Sequence, residues 1–171
     1  MLLVPRATPG YGLSSLRDEG SEFMSSTYLS LHYHLVFSTK NREALIRPEW
    51  QSRVHEYLGG AVRRLGGSPG IVGGVSDHVH MLVGLKATHC LSDVMRELKK
   101  SSSIWVQEEM GLRCFGWQEG YAAFSVSATA RDSVRRYIAN QEAHHRTKSF
   151  REEWVEMLNK AGVEYDPQYL D

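Results

Sequence analysis

The stretch Asp77-His78-Val79-His80-Met81-Leu82-Val83-Gly84-Leu85 constrains the fold of this 171-residue chain more than any other. In an extended segment side chains alternate between two faces, so Val79, Met81, Val83 and Leu85 share one face while His78 and His80 share the other. The apolar set demands a core on its side. Two neutral imidazoles on one rigid face make half of a metal site. The same pattern also arises by chance on the solvated face of a sheet, and the pattern alone leaves both readings open. A second pair, His32-Tyr33-His34, lies in another alternating stretch. From Tyr28 to Phe37, Leu29, Leu31, Tyr33, Leu35 and Phe37 face one way, and Ser30, His32, His34 and Val36 the other. Spacing does not tell the two pairs apart as ligands.

Downstream, Val134-Arg135-Arg136-Tyr137-Ile138-Ala139-Asn140-Gln141 has helical period. Tyr137 and Gln141 are four apart and stack on one face of a helix, a phenol beside an amide oxygen. They form a candidate nucleophile next to a candidate third metal ligand. A tyrosine on a helix is ordinarily a core or surface residue, so its weight here comes from the paired histidines.

The rest of the chain reads as a single α+β domain over residues 27–171, preceded by residues 1–26, which are rich in Gly, Ser, Pro and charge and are expected to be a disordered extension. Met24 is a plausible alternative start. Trp50, Val54, Tyr57, Leu58, Ala61 and Leu65 recur at helical spacing behind Pro48, which suits a first turn. Gly66 to Gly70 ends that helix, Ile71 to Val75 is a strand, and a turn at Ser76-Asp77 leads into the histidine strand. Ser92 caps a second helix with the stripe Val94, Leu98, Ser101 and Trp105. A strand over Tyr121 to Ser127 precedes the tyrosine helix, and a last helix carries Phe150, Trp154, Met157 and Leu158. This order is the β-α-β-β-α-β unit of ferredoxin-like and RRM-like antiparallel sheets, with an added C-terminal helix carrying Tyr137. The expectation is that helices cover one sheet face and that the histidine face lies open.

Overall charge is zero, yet residues 25–150 hold 16 Lys and Arg against 11 Asp and Glu, while residues 151–171 hold 2 against 6. The core is thus basic enough to meet phosphates. Lys40 and Arg42, in a loop, and Arg96, Lys99 and Lys100, off the second helix's stripe, are candidate DNA contacts. For Lys40 and Arg42 a solvated loop is as ready a reading, while for Arg96, Lys99 and Lys100 a solvated charged face is the usual one and the DNA reading rests on the company they keep. Cys90 and Cys114 form no disulfide or metal framework. No apolar run approaches the roughly 20 residues of a membrane span. A cytoplasmic protein with no membrane partner is expected.

On these residues the chain resembles the single-tyrosine transposases of the IS200/IS605 type, members of the HUH endonucleases. The likeness rests on His78-Val79-His80, on Tyr137 with Gln141, on Phe115-Gly116-Trp117-Gln118-Glu119-Gly120-Tyr121 followed by Ala123-Phe124-Ser125-Val126-Ser127, and on His144-His145. It runs from about Tyr28 to Tyr169. The resemblance implies that His78, His80 and Gln141 hold Mg²⁺ or Mn²⁺ and that Tyr137 cuts single-stranded DNA with hairpin ends through a 5′-phosphotyrosine. It also implies a homodimer in which the tyrosine helix can act in trans. It leaves His32 and His34 as DNA contacts or as groups supporting the metal ligands. The alternative is a non-catalytic regulator that binds single-stranded or hairpin nucleic acid on the same fold.

Overall fold

The computed structural model describes residues 28–169. Four strands, β1 (His32–Ser38), β2 (Ser68–Gly74), β3 (His78–Gly84) and β4 (Ala122–Val126), form one antiparallel sheet of order β2-β3-β1-β4. Helix α1 (Pro48–Arg64) joins β1 to β2 and α2 (Leu91–Glu109) joins β3 to β4, which gives the expected β-α-β-β-α-β unit. Three further helices follow: α3 (Arg131–Ala139), α4 (Gln141–His144) and α5 (Phe150–Lys160). Among the described residues, no helix is long and apolar enough to cross a membrane.

The odd-numbered residues of β1 and β3 supply one core. Leu35, Phe37, Val79, Met81 and Val83 pack against Val54, Leu58 and Val62 of α1 and Val94, Leu98 and Val106 of α2. The α2 stripe is offset from the expected one. Ser102 and Val106 are buried in place of Ser101 and Trp105, because Ser102 Oγ accepts the Trp117 indole N–H at 2.8 Å while Trp105 stacks on Tyr57. Cys90, not Ser92, precedes the first turn of α2, and its side chain makes no capping bond. Strand β1 starts four residues later than its alternation suggests, and Tyr28 and Leu29 are exposed. Strand β2 begins earlier than expected, at Ser68, with an irregularity between Pro69 and Ile71, which an edge strand tolerates.

The histidine face is not open. Val36, His78 and His80 are fully buried beneath the C-terminal helices, and Leu82 packs with Ile138 of α3. Gly73 of β2 makes this cover possible: a Cβ there would stand 2.4 Å from the Ile138 carbonyl oxygen and 2.9 Å from its Cγ2. Tyr137 and Gln141 also do not share one helix. The chain breaks at Asn140 (φ −102°, ψ 18°), whose N–H is shared between the Arg136 and Tyr137 carbonyls. Helix α5 opens on a capping box between Ser149 and Glu152, and the chain after it turns at Gly162, with φ of 64°.

Candidate metal centre

Strand β3 points His78 and His80 toward α5, and Glu153 of α5 points back at them. His145, just after α4, completes a group whose ligand atoms all lie within 4.8 Å of one another. Glu153 Oε2 is 3.0 Å from His145 Nε2, 3.5 Å from His80 Nε2 and 3.7 Å from His78 Nε2. His78 Nε2, His80 Nε2 and Glu153 Oε2 are buried without a hydrogen-bond partner among the described residues. An orphaned buried polar atom costs about 1–3 kcal/mol. Three of them facing one another fit a site built for a cation.

The outer nitrogens have partners of their own. His78 Nδ1–H donates to Asp77 Oδ1 at 2.7 Å, which turns the lone pair of its inner nitrogen inward, and His80 Nδ1 lies 2.9 Å from His34 Nε2, one ring donating to the other. Desolvation, with the neighbouring His80, pulls His34 down to about 3, which keeps it neutral. Desolvation likewise lowers His80 to about 4. Burial also opposes charge on His145, but the Glu153 carboxylate outweighs it and raises that imidazole, whose Nδ1 lies 2.9 Å from the Lys148 carbonyl. Glu153 itself is held well below the carboxylate range, because His145 and His80 beside it overcome its desolvation.

Tyr137 reaches this group within the same chain. Its hydroxyl donates to Glu153 Oε1, and its ring stands edge-on to His34, His80 and His144. Burial and then the Glu153 charge push the phenol pKa upward. Gln141, 1% exposed, donates from Nε2 to Glu153 Oε1 at 3.0 Å, and its Oε1 lies 3.0 Å from His145 Nε2. One carboxylate therefore faces the phenol, the amide and, at 3.6 Å, His144 Nε2 through one oxygen and three imidazoles through the other.

The remaining candidates are scattered. His34 is buried and braces His80, which excludes it as a surface DNA contact. His32 sits at the far end of β1 across from Gly84, lining a groove with Arg131 and Arg135. Lys40 is exposed, and Arg42 lies over the Phe150 ring. Arg96 pairs with Asp93 and Glu97, Lys99 donates to the Glu119 and Gly120 carbonyls, and Lys100 is exposed, all on the opposite layer of the sheet. Sequence reasoning missed Glu153 and gave His145 no role. The signal was there: Phe150, Glu153, Trp154, Met157 and Leu158 follow the i, i+3, i+4, i+7, i+8 pattern, so Glu153 is an acid inside an apolar stripe.

The sequence model of the family described as transposase, IS200-like, matches residues 27–141. A candidate transposase of Deinococcus radiodurans R1 is similar in structure, with a TM-score of 0.55 and 25% identity over 67% of this chain and 93% of that one. A REP-associated tyrosine transposase bound to a REP hairpin gives a TM-score of 0.47 and 16% identity, over 68% of this chain and 70% of that one. No curated protein matches the chain. With the family pattern spanning more than half of the sequence, the chain belongs to the IS200-like transposases.

Proposed function

We propose that this chain cuts and rejoins single-stranded DNA bearing hairpin ends, with Tyr137 as the nucleophile. The observation that carries this reading is the contact of the Tyr137 hydroxyl with Glu153, the same carboxylate that faces His78 and His80. Burial and the Glu153 charge keep the phenol protonated at rest. Attack therefore starts from a neutral hydroxyl that its hydrogen bond to Glu153 Oε1 orients, and the proton is given up to water as the bond to phosphorus forms. The bond from phosphorus to the 3′ oxygen breaks, and that oxygen takes up a proton from water as it leaves, which balances the one the phenol gave up. The products are a 5′-phosphotyrosine and a free 3′-OH. Because the ester keeps the energy of the phosphodiester, a second 3′-OH can reverse the step and join strands without ATP. A divalent cation, Mg²⁺ or Mn²⁺, held by His78, His80, His145 and Glu153 would offset charge on the phosphate oxygens. Gln141, expected from the resemblance as a third ligand, is bonded through both amide atoms to Glu153 and His145 and reads as their support. His34 and Asp77 fix the two strand imidazoles.

The test is incubation with hairpin-bearing single strands and Mn²⁺, followed by a denaturing gel. A covalent adduct is expected from the native chain and not from Tyr137→Phe, while His78→Ala should bind strands without cleaving them. An adduct that persists in Tyr137→Phe would refute the nucleophile, and tight binding with no adduct would point to a regulator instead.

A further inference from the structure

Next to the imidazole cluster lies a second cavity, of about 510 Å³, with aromatic walls. The two share a partition. The Phe150 ring stacks on His78 with centroids 4.0 Å apart, and the Arg42 guanidinium lies 5.2 Å from the same ring. Phe150 is buried, whereas Tyr121, Trp154 and Tyr165 keep exposed surface where they line the cavity. Gln118, Glu119 and Asp166 add an amide and two carboxylates to the lining.

The walls are held in place. Lys99 Nζ donates to the Glu119 and Gly120 carbonyls at 2.7 and 3.0 Å and stands 5.9 Å from the Tyr121 ring, fixing the approach to that side chain. On the other side Asn41 and Arg42 both have φ of 54°, a left-handed conformation that non-glycine residues adopt at a cost and that surrounding structure must enforce. That turn is tied to the cluster. Thr39 is fully buried, its backbone N–H donates to the Asp77 carbonyl at 2.8 Å and its Oγ1 donates to the Glu43 carbonyl at 2.6 Å, while the Asp77 side chain orients His78. Arg42 and His78 thus hang from one anchor.

We propose that this cavity receives a single unpaired nucleobase of the strand whose phosphate lies at the imidazole cluster. The inference rests on the strand-transfer reading above. Flat aromatic faces suit a base, since stacking on them needs only a π-face. An amide and a carboxylate can meet the hydrogen-bonding edge of a base, whereas a carboxylate would repel a phosphate, so the cavity addresses the base and not the backbone. The shared Phe150 wall puts it within one nucleotide of the cluster, and Arg42 stands where the connecting backbone would pass.

The experiment measures fluorescence anisotropy of the full chain, with Mn²⁺, on a tagged oligothymidylate and on an abasic deoxyribose-phosphate chain of equal length. The native chain should favour the base-bearing strand by about tenfold or more, the size expected for stacking of one base. Tyr121→Ala and Trp154→Ala should each erase most of that preference, and Trp154→Phe, which keeps a ring, should restore it. If Trp154→Ala does not fold, Tyr121→Ala carries the test, because Tyr121 is a surface residue. Equal binding of both strands by the native chain, or an unchanged preference in folded Tyr121→Ala, would overturn the proposal. A tyrosine adduct without a base preference would refute the cavity alone. A base preference lost in these variants, with no adduct from any strand, would support the cavity and refute only the strand transfer.

Discussion

Glu153 joins more of the site than any other side chain, with the Tyr137 hydroxyl and Gln141 amide on one oxygen and three imidazoles around the other. Replacing it separates ligand from brace. Glu153→Gln keeps the shape but removes the charge, and Mn²⁺ affinity by isothermal titration should fall about a hundredfold or more. Gln141→Ala, which removes only a support, should cost about tenfold, in the range of such supports. Equal losses from the two would make the Gln141 amide a ligand in its own right. The histidine pair was legible in the sequence because strand alternation alone puts His78 and His80 side by side. The choice between the rival pairs was not, since it depends on register: His34 pairs with Leu82, which sets its ring against His80 and gives it a supporting place.

Helix α3 reaches the sheet only because Gly73 has no side chain. An added Cβ would meet the Ile138 carbonyl, a backbone atom that cannot rotate away, so α3 would have to lift and carry Tyr137 with it. Gly73→Ala should therefore cost about 1–3 kcal/mol in urea denaturation and lower the adduct yield, although Gly73 brings no side chain to the cluster and meets it only through its backbone, as the register partner of His80. Gly84→Ala is the matched control. Its nearest neighbours are side-chain atoms at 3.5 Å, and both readouts should stay near native. A native adduct yield in Gly73→Ala would mean that α3 need not lie on β2 for Tyr137 to act. At this scale the sheet was legible from period, but its cover was not inferred. Val36 and Leu82 lie on the histidine face, and apolar residues there already called for a covering layer. The break between α3 and α4 had no such sign. No Pro or Gly interrupts the period, and the turn at Asn140 is marked only by its shared N–H bond.

Two properties belong to the molecule as a whole. His34, His55 and His80 have folded-state pKa values near 3, 4 and 4, each lowered first by desolvation from 6.5. Below about pH 6.5 the unfolded chain takes up protons that the folded one refuses. These three histidines should thus leave stability unchanged above that pH and lower it as pH drops toward 4, by at most about 1.4 kcal/mol per histidine per pH unit. His145, raised by Glu153, works the other way, and its contribution is lost as pH rises. His55 lies outside the cluster, so thermal melts of His55→Gln should show a shallower acid decline, and an unchanged slope would contradict the assignment. The second property is completeness within one chain. Tyr137, Glu153 and His80 already touch in a single copy, so a cis site needs no exchange of helices, while the Ser127–Ala130 segment before α3 is where an exchange would have to pivot. Mixing a Tyr137→Phe chain with a His78→Ala chain distinguishes the two arrangements. In a cis site every chain of the mixture lacks either its nucleophile or an imidazole ligand, so no adduct should form at any mixing ratio. If helices were exchanged, mixed pairs would unite an intact Tyr137 with an intact His78, and recovery of adduct on mixing would place the nucleophile in trans.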